Sequence, residues 1–274
     1  MNFSVLMSVY KNDNAKHFRL ALESISVNQT VKPSQIVIVQ DGAVDPCIES
    51  IIEKISLQET QIEFTVLKKS KNQGLAAALN DGIELCKYDY IARMDADDIA
   101  VPNRFKLQTD ALKENPRIDI LGGYIVEFQD DPTKLGKIRR VGESHNDIVN
   151  MARHRCPFNH MTVMYKKEMV KAAGKYKTDF GKLEDYKLWV DMIAIGCRCA
   201  NLPEILILIR TGNGMIQRRS DPKEIKDWDR LQDDLIASHI ISSLEALLNR
   251  LYIRLFTYMP SSMKTIVYKL FLRK

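Results

Sequence analysis

The chain has 274 residues, 45% of them apolar and 27% charged, the proportions of a soluble globular protein long enough to bury a full core. Five cysteines without a Cys-x-x-Cys pair exclude a disulfide framework and a zinc ribbon, and Cys197-Arg198-Cys199 reads as core packing. The net charge of +5 is unevenly placed: residues 246–274 carry six bases and no acid, whereas the preceding 245 residues hold 34 bases and 35 acids, a balance that excludes nucleic acid as the partner of the body.

The first half alternates two patterns. Residues 3–9 form a continuous apolar run, a buried strand that is too short and lacks the basic flank of a signal peptide. Phe18, Ala21, Leu22 and Ile25 have helical spacing, and residues 36–39 are a β-branched strand ending at Gln40-Asp41-Gly42. Ile48, Ile51, Ile52 and Ile55 mark a helix, residues 62–67 a third strand, and residues 74–86 a helix with Leu75, Leu79, Ile83 and Cys86 on one face. Residues 90–94 form a fourth strand that ends at Asp95. This alternation predicts an α/β fold with a mostly parallel sheet covered on both faces, and ligands beyond the carboxyl ends of its strands.

After about residue 115 the period is less regular. Residues 118–128 read as strand, with Gly122-Gly123 permitting a bulge or a close approach. Residues 161–165 and 201–209 are further strands; residues 167–173, closed by Gly174, and 183–195 are helices. From Pro222 the pattern is helical, interrupted at Pro260, which predicts a catalytic body over 1–220 and a helical extension over 221–274. No apolar run reaches the roughly 18 residues that span a bilayer. A cytosolic protein, or one on the cytosolic face of a membrane, is expected.

Asp95-Ala96-Asp97-Asp98 is the sharpest local signal. Three carboxylates within four residues repel one another, and hard oxygen donors suit Mg²⁺ or Mn²⁺. Ala100 and Lys106 stand where a calcium-binding EF-hand needs Gly and Glu, which excludes that loop. The plain alternative is an acidic helix cap. Asp41, at a strand end with Gly42 behind it, can accept hydrogen bonds from a base or ribose. Asn72-Gln73-Gly74 lets a ligand approach the next helix start, or simply caps it. Glu184-Asp185 opens a helix carrying Trp189, and capping is again the plain alternative. Arg210, Gly212, Gly214, Arg218 and Arg219 make a Gly-hinged basic loop that either closes on a diphosphate or is solvated.

These pieces in this order resemble the family 2 glycosyltransferases, enzymes of GT-A fold that use nucleotide-sugar donors. The resemblance spans roughly residues 3–215. It rests on Ser4 to Tyr10, Val37 to Gly42, Asn72-Gln73-Gly74 with Asn80, Asp95 to Asp98 with Pro102 and Arg104, and Glu184-Asp185 with Trp189. Gln40 departs from the acid that often precedes Asp41-Gly42 there. The resemblance implies that Asp41, with Ser8, Val9 and Tyr10, holds the uracil and ribose of a UDP-sugar, within a pocket that includes Asn72 and Gly74. It implies Asp95 near the ribose, Asp97 on Mn²⁺ or Mg²⁺, and Asp98 facing the donor sugar or the acceptor. Asp185 is then the general base of an inverting displacement, with Glu184, Trp189 and His160 toward the acceptor. For His160 a structural hydrogen bond is an equal reading. The Glu184-Asp185-Tyr186 variant looks like bacterial enzymes that extend lipid-linked O-antigen or capsule oligosaccharides. That implies a saccharide on a polyprenyl diphosphate as acceptor. A sugar nucleotidylyltransferase is a competing class, but Tyr10-Lys11-Asn12-Asp13 is not its Gly-rich basic loop. A non-catalytic membrane-binding module would not need both acidic clusters.

Leu244, Leu247, Leu248, Leu251, Leu255 and Tyr258 share one helical face, and Met263, Ile266, Val267, Leu270 and Phe271 a second beyond Pro260. With the interleaved bases, these faces suit an anionic membrane surface, expected on the inner face of the bacterial inner membrane. The other reading is a helix packed on its own domain.

Overall fold

The structure, a computed structural model, describes residues 1–211, 222–260 and 263. In chain order β1 (Ser4–Val9), α1 (Ala15–Ile25), β2 (Gln35–Gln40), α2 (Pro46–Gln58), β3 (Glu63–Lys68), α3 (Leu75–Leu85) and β4 (Tyr90–Met94) follow the predicted alternation. Strands β1 and β2 are buried almost throughout, as strands covered on both faces must be, whereas edge strand β3 is largely half-exposed. Alternation sorts the side chains into two cores. Val5, Met7 and Val9 pack with Phe18, Leu22 and Ile52 on one face, while Leu6, Val37 and Val39 meet Leu79 and Ile83 on the other.

The remaining elements are β5 (Ile99–Ala100), α4 (Arg104–Glu114), β6 (Ile120–Phe128), β7 (Ile138–Arg139), α5 (His145–Ala152), β8 (Met164–Lys166), α6 (Lys167–Ala172), α7 (Glu184–Ala194), β9 (Cys199–Arg210), α8 (Ile225–Ala237) and α9 (Ser243–Tyr258). The sheet order is β3-β2-β1-β4-β8-β6-β9-β5, with β7 on β6. Only the block β3-β2-β1-β4 is wholly parallel; β8 is antiparallel to both its neighbours, and β9 runs parallel to β6. The chain leaves β3 at the edge and returns as β4 on the far side of β1. The carboxyl ends of β1 and β4 therefore flank a switch-point crevice, where α/β sheets bind ligands.

Two differences from the sequence reading have local causes. The strand expected at 161–165 starts only at Met164, because the Thr162 hydroxyl donates to the Asn159 carbonyl at 2.8 Å and closes a 3-10 turn over His160–Thr162. Helix α5 was not anticipated; a reciprocal capping box between Ser144 and Asp147 starts it. The Gly122-Gly123 expectation describes a real close approach. A Cβ on Gly122 would collide with Asn201 Oδ1, and the β6–β9 register shifts immediately after Gly123. Cys197 and Cys199 are buried free thiols, as core packing requires.

The extension is docked on the body. Phe180, Leu183, Tyr186 and Val190 form an apolar cluster with Leu231 and Leu235 of α8, Ile240 and Ile241, and Ala246 of α9. Among the described residues no helix is long and apolar enough to cross a membrane.

Gly42, just beyond β2, has φ +88°, and a Cβ there would lie 2.8 Å from the Asn72 backbone nitrogen. Gly42→Ala should therefore destabilise the protein by about 1–3 kcal/mol. Denaturant unfolding checks this, with Gly74→Ala as comparison: its φ is +91°, but a Cβ there meets nothing within 4 Å. A smaller loss at Gly42 than at Gly74 would contradict the close-approach argument.

Candidate active site

The acidic loop leaves β4 over a buried cation. Arg93, on β4, is 2% exposed and ion-paired with Asp95. Burial works to lower the guanidinium's affinity for its proton, but the charge and hydrogen bond of Asp95 outweigh it and raise the group above its ordinary value. The Arg93 carbonyl accepts from Nη2 of the fully buried Arg104 at 2.8 Å. Asp97 points outward and is exposed. Desolvation and then the Asp95 charge push its carboxyl up.

Asp98 does not face outward to a sugar, as the resemblance implied. It is 4% exposed, and its Oδ1 accepts the Arg210 N–H at 2.9 Å, tying the loop to the end of β9. The short β5–β9 pairing puts Arg210 beside the loop, so the buried carboxylate serves a backbone donor there. Arg210 in turn donates to the Asp97 carbonyl at 3.3 Å and to the Gln129 carbonyl at 3.2 Å, its guanidinium lying 4.6 Å from the Phe128 ring centre. Arg218 and Arg219 lie outside the described residues.

Sequence reasoning missed Asp13. In the loop after β1 its Oδ2 accepts the Tyr10 N–H at 2.8 Å. Burial raises its carboxyl to about 6 against that hydrogen bond, and the charges of Asp97 and Asp95 add to the rise. The signal that could have found it is topological: loops after the two strands flanking a switch point face each other. For a divalent cation the fit is partial. Asp95 and Asp97 offer hard oxygens, and a cation would relieve the repulsion that raises Asp97. Among the described residues no group of three His, Cys, Asp or Glu side chains is arranged to hold a metal ion, so further oxygens would come from a ligand.

On the side of β2, Asp41 is 3% exposed and its carboxylate organises the neighbouring loop. Its two oxygens accept the N–H groups of Gln73 at 2.9 Å and Gly74 at 2.8 Å, and Asn72 Nδ2 donates to its carbonyl at 3.1 Å. Helix starts carry unsatisfied N–H groups, and Asp41 satisfies those just ahead of α3. The Asp41 N–H reaches the Val9 carbonyl at 2.8 Å, joining the ends of β1 and β2. Val9 is buried, Ser8 half-buried, and Tyr10 40% exposed. Ser8 and Tyr10 thus keep surface at the crevice.

The second acid pair opens α7, but neither acid caps it: Leu183 is the cap residue and makes no side-chain cap bond. Burial and then the Asp185 charge push Glu184 up to about 7, and its Oε2 has no hydrogen-bond partner among the described residues. Burial also raises Asp185, whose Oδ1 accepts the Tyr186 N–H at 2.7 Å. His160 is 9% exposed, with Nε2 2.8 Å from the Tyr176 hydroxyl. Burial, helped by the Arg93 charge, holds it far below its ordinary value, so it is neutral at pH 7. Tyr176 is fixed in turn by Asn80, whose amide bonds its backbone N–H and carbonyl at 3.0 and 2.8 Å. Trp189 is fully buried against Phe158, His160 and Tyr165. It has no surface to offer a saccharide, and the acceptor contact implied for it gives way to core packing. The Arg93 charge acts both on Asp97 and Asp98 of the acidic loop and on Glu184, Asp185 and His160.

A switch-point crevice with one acid cluster at the β4 end and a second at a helix start marks an α/β protein with a candidate ligand site at the carboxyl ends of its strands. Residues 4–174 match Glycosyl transferase family 2, and the chain belongs to that family. It is 39% identical to a Haemophilus influenzae protein described as an uncharacterized glycosyltransferase, over 277 residues and the whole of both chains. It is 33% identical, over 99% of this chain and 97% of the other, to the Escherichia coli protein named UDP-Gal:alpha-D-GlcNAc-diphosphoundecaprenol beta-1,3-galactosyltransferase. Among solved structures, S. aureus TarS 1–349 superposes with a TM-score of 0.70 at 16% identity, covering 99% of this chain and 75% of its own. The same TarS fragment has been solved with UDP-GlcNAc. The fold is therefore GT-A, with C-terminal helices.

Glu184 makes stability pH-dependent. Its folded value of about 7 lies above its ordinary 4.5, so between those values the folded state binds more protons than the unfolded state. Stability contributed by the protonated form is present at low pH and is lost as pH rises through 7. Glu184→Gln should match wild type near pH 4.5 and exceed it by about 1–2 kcal/mol at pH 8, after discounting a ceiling of about 3 kcal/mol for partial exposure. Urea unfolding at both pH values measures this; an equal gain at both would refute it.

Proposed function

We propose that the protein transfers a hexose from a UDP-hexose to a hydroxyl of a saccharide carried on a polyprenyl diphosphate, with inversion at the transferred carbon. The observation that carries this reading is the pair of acid clusters that both feel the charge of the buried Arg93, one beyond the carboxyl end of β4 and the other at the start of α7. The family, the diphosphoundecaprenol-linked substrate in the E. coli relative's name and the UDP-GlcNAc complex of TarS support the choice of donor and acceptor.

Asp97, with Asp95, would hold Mn²⁺ or Mg²⁺, and Asp13 adds negative charge at the same mouth. When bound, such a cation neutralises the charge that develops on a departing diphosphate. Ser8, Tyr10 and the Asp41-held segment 72–74 line the nucleotide side. Asp185 takes the proton of the acceptor hydroxyl as its oxygen attacks the anomeric carbon from the face opposite UDP. The bond to UDP breaks with its electron pair on the diphosphate oxygen, so an α-linked donor yields a β-linked product. Because burial raises Asp185, turnover should climb with pH as this carboxyl ionises.

Two substitutions separate the roles. Asp185→Asn should lower kcat by about 10²–10⁴ while leaving UDP binding intact. Asp97→Ala should weaken Mn²⁺-dependent UDP binding, read by calorimetry, and abolish transfer without unfolding the protein. Wild-type turnover of Asp185→Asn, or full activity of Asp97→Ala in EDTA, would overturn the corresponding assignment.

The acceptor's lipid suggests association with the inner face of the bacterial inner membrane. On α9, Leu244, Leu247, Leu248, Leu251, Leu255 and Tyr258 are between 53% and 71% exposed. Arg250 and Arg254 of the same helix are engaged with Asp233 and Asp229 of α8, at 2.5 and 2.6 Å. The apolar row, rather than those two bases, is thus the contact surface of this helix; the helix expected beyond Pro260 lies outside the described residues apart from Met263. Replacing Leu247, Leu251 and Leu255 together by Ser should release the protein from anionic vesicles in flotation and slow transfer to long-chain acceptors. Activity on a short soluble acceptor should change less than twofold. Unchanged flotation would overturn the membrane reading for this face.

A further inference from the structure

Asp185 receives two donors from different parts of the chain. The Tyr186 N–H reaches Oδ1, and from the segment after α5 the Cys156 Sγ lies 3.6 Å from Oδ2. The same sulfur lies 3.5 Å from the Phe158 carbonyl oxygen. A thiol has one proton to give, and an ionised acceptor binds it more strongly than a neutral carbonyl. We propose that Cys156 is a positioning residue for the proton acceptor Asp185, its S–H···Oδ2 contact holding the carboxylate in the rotamer that receives the acceptor's proton. The inference rests on Asp185 being the base.

The chemistry around the pair is consistent. Burial and the Asp185 charge push the Cys156 thiol well above its ordinary range, so the proton stays on sulfur and the group is a donor at neutral pH. The cysteine is free, so nothing else claims the sulfur covalently. The groups facing Asp185 come from several elements: Glu184 and Tyr186 on α7, Tyr176 from the segment before it, Arg139 on β7 and Arg93 on β4. Both arginines favour the carboxylate, whereas burial opposes it. Each donor to Asp185 therefore has a direct effect on how much of it is ionised. Loss of the thiol donor should raise the pH at which Asp185 becomes competent.

The test is the pH dependence of kcat for transfer from UDP-hexose to a saccharide–diphosphate–lipid acceptor, in wild type, Cys156→Ala, Cys156→Val and Cys156→Ser. Val fills the site without a donor, and Ser keeps a donor, so this pair carries the comparison if the Ala cavity loosens the site. Thermal unfolding of each variant reports on folding. In Ala and Val the ascending limb should move up by about 0.5–1 pH unit, a three- to tenfold loss below the midpoint that fades at high pH, with donor KM unchanged. Ser should restore the limb to within about 0.3 unit. An unmoved limb in Ala and Val, in a protein whose Asp185→Asn variant is inactive, would overturn the inference alone and leave Cys156 a packing residue. So would a loss of equal size at every pH in all three variants. Wild-type turnover of Asp185→Asn would instead overturn the base assignment, and this inference with it.

Discussion

The guanidinium of Arg93, sealed beneath the carboxyl end of β4, is the interaction on which the arrangement depends. A buried cation without a counter-charge costs several kcal/mol, and Asp95 supplies the counter-charge from two residues further along the chain. The same cation then lies within electrostatic reach of acids from both halves of the fold, Asp97 and Asp98 of the acidic loop and Glu184 and Asp185 of α7. Burial alone would drive all four toward the neutral form. Arg93 opposes that tendency at once for both clusters, which is why a strand in the middle of a nine-stranded sheet tolerates a charge. Arg104, also fully buried, supports the pair by donating to the Arg93 carbonyl. Burial and then the Arg93 charge lower it to about 9, and Gln108 Oε1 and Met94 Sδ accept from its Nε and Nη1.

The carboxylates divide by what their lone pairs already serve. Asp41 and Asp98 are nearly inaccessible and spent on backbone N–H groups, although burial and the charges of Asp95 and Asp97 push the Asp98 carboxyl well above its ordinary range. They shape the crevice: Asp41 brings the start of α3 to the ends of β1 and β2, and Asp98 brings the end of β9 to the acidic loop. Glu184 retains an oxygen with no hydrogen-bond partner among the described residues, and burial with a neighbouring acid's charge raises the carboxyls of both Asp97 and Glu184. Perturbed acids are the candidates for chemistry, and Asp185 is one of them while accepting from Tyr186 and Cys156. Asp97 and Asp98 are neighbours in sequence, yet one is exposed and the other is buried against the Arg210 N–H.

What the sequence by itself determined is the first half of the sheet and the class of fold, and it nominated the strand ends as the candidate site. Strands of β-branched residues alternating with helical periods have few ways to bury their apolar faces, so β1 to β4 and their helices were legible, and polar residues at strand ends pointed to the crevice. The irregular half was less so. β5 and β7 are two residues each, too short to carry a period, and α5 is announced only by its capping box. Tertiary structure decided which side chain in each motif faces the crevice, because one residue along a strand end or helix start reverses direction. Asp98 turned to the Arg210 N–H, Trp189 turned into the core, and Asp13 arrived from a loop some 80 positions away in the chain. The Cys156–Asp185 contact likewise joins residues 29 positions apart, a distance that no local pattern in the sequence can encode.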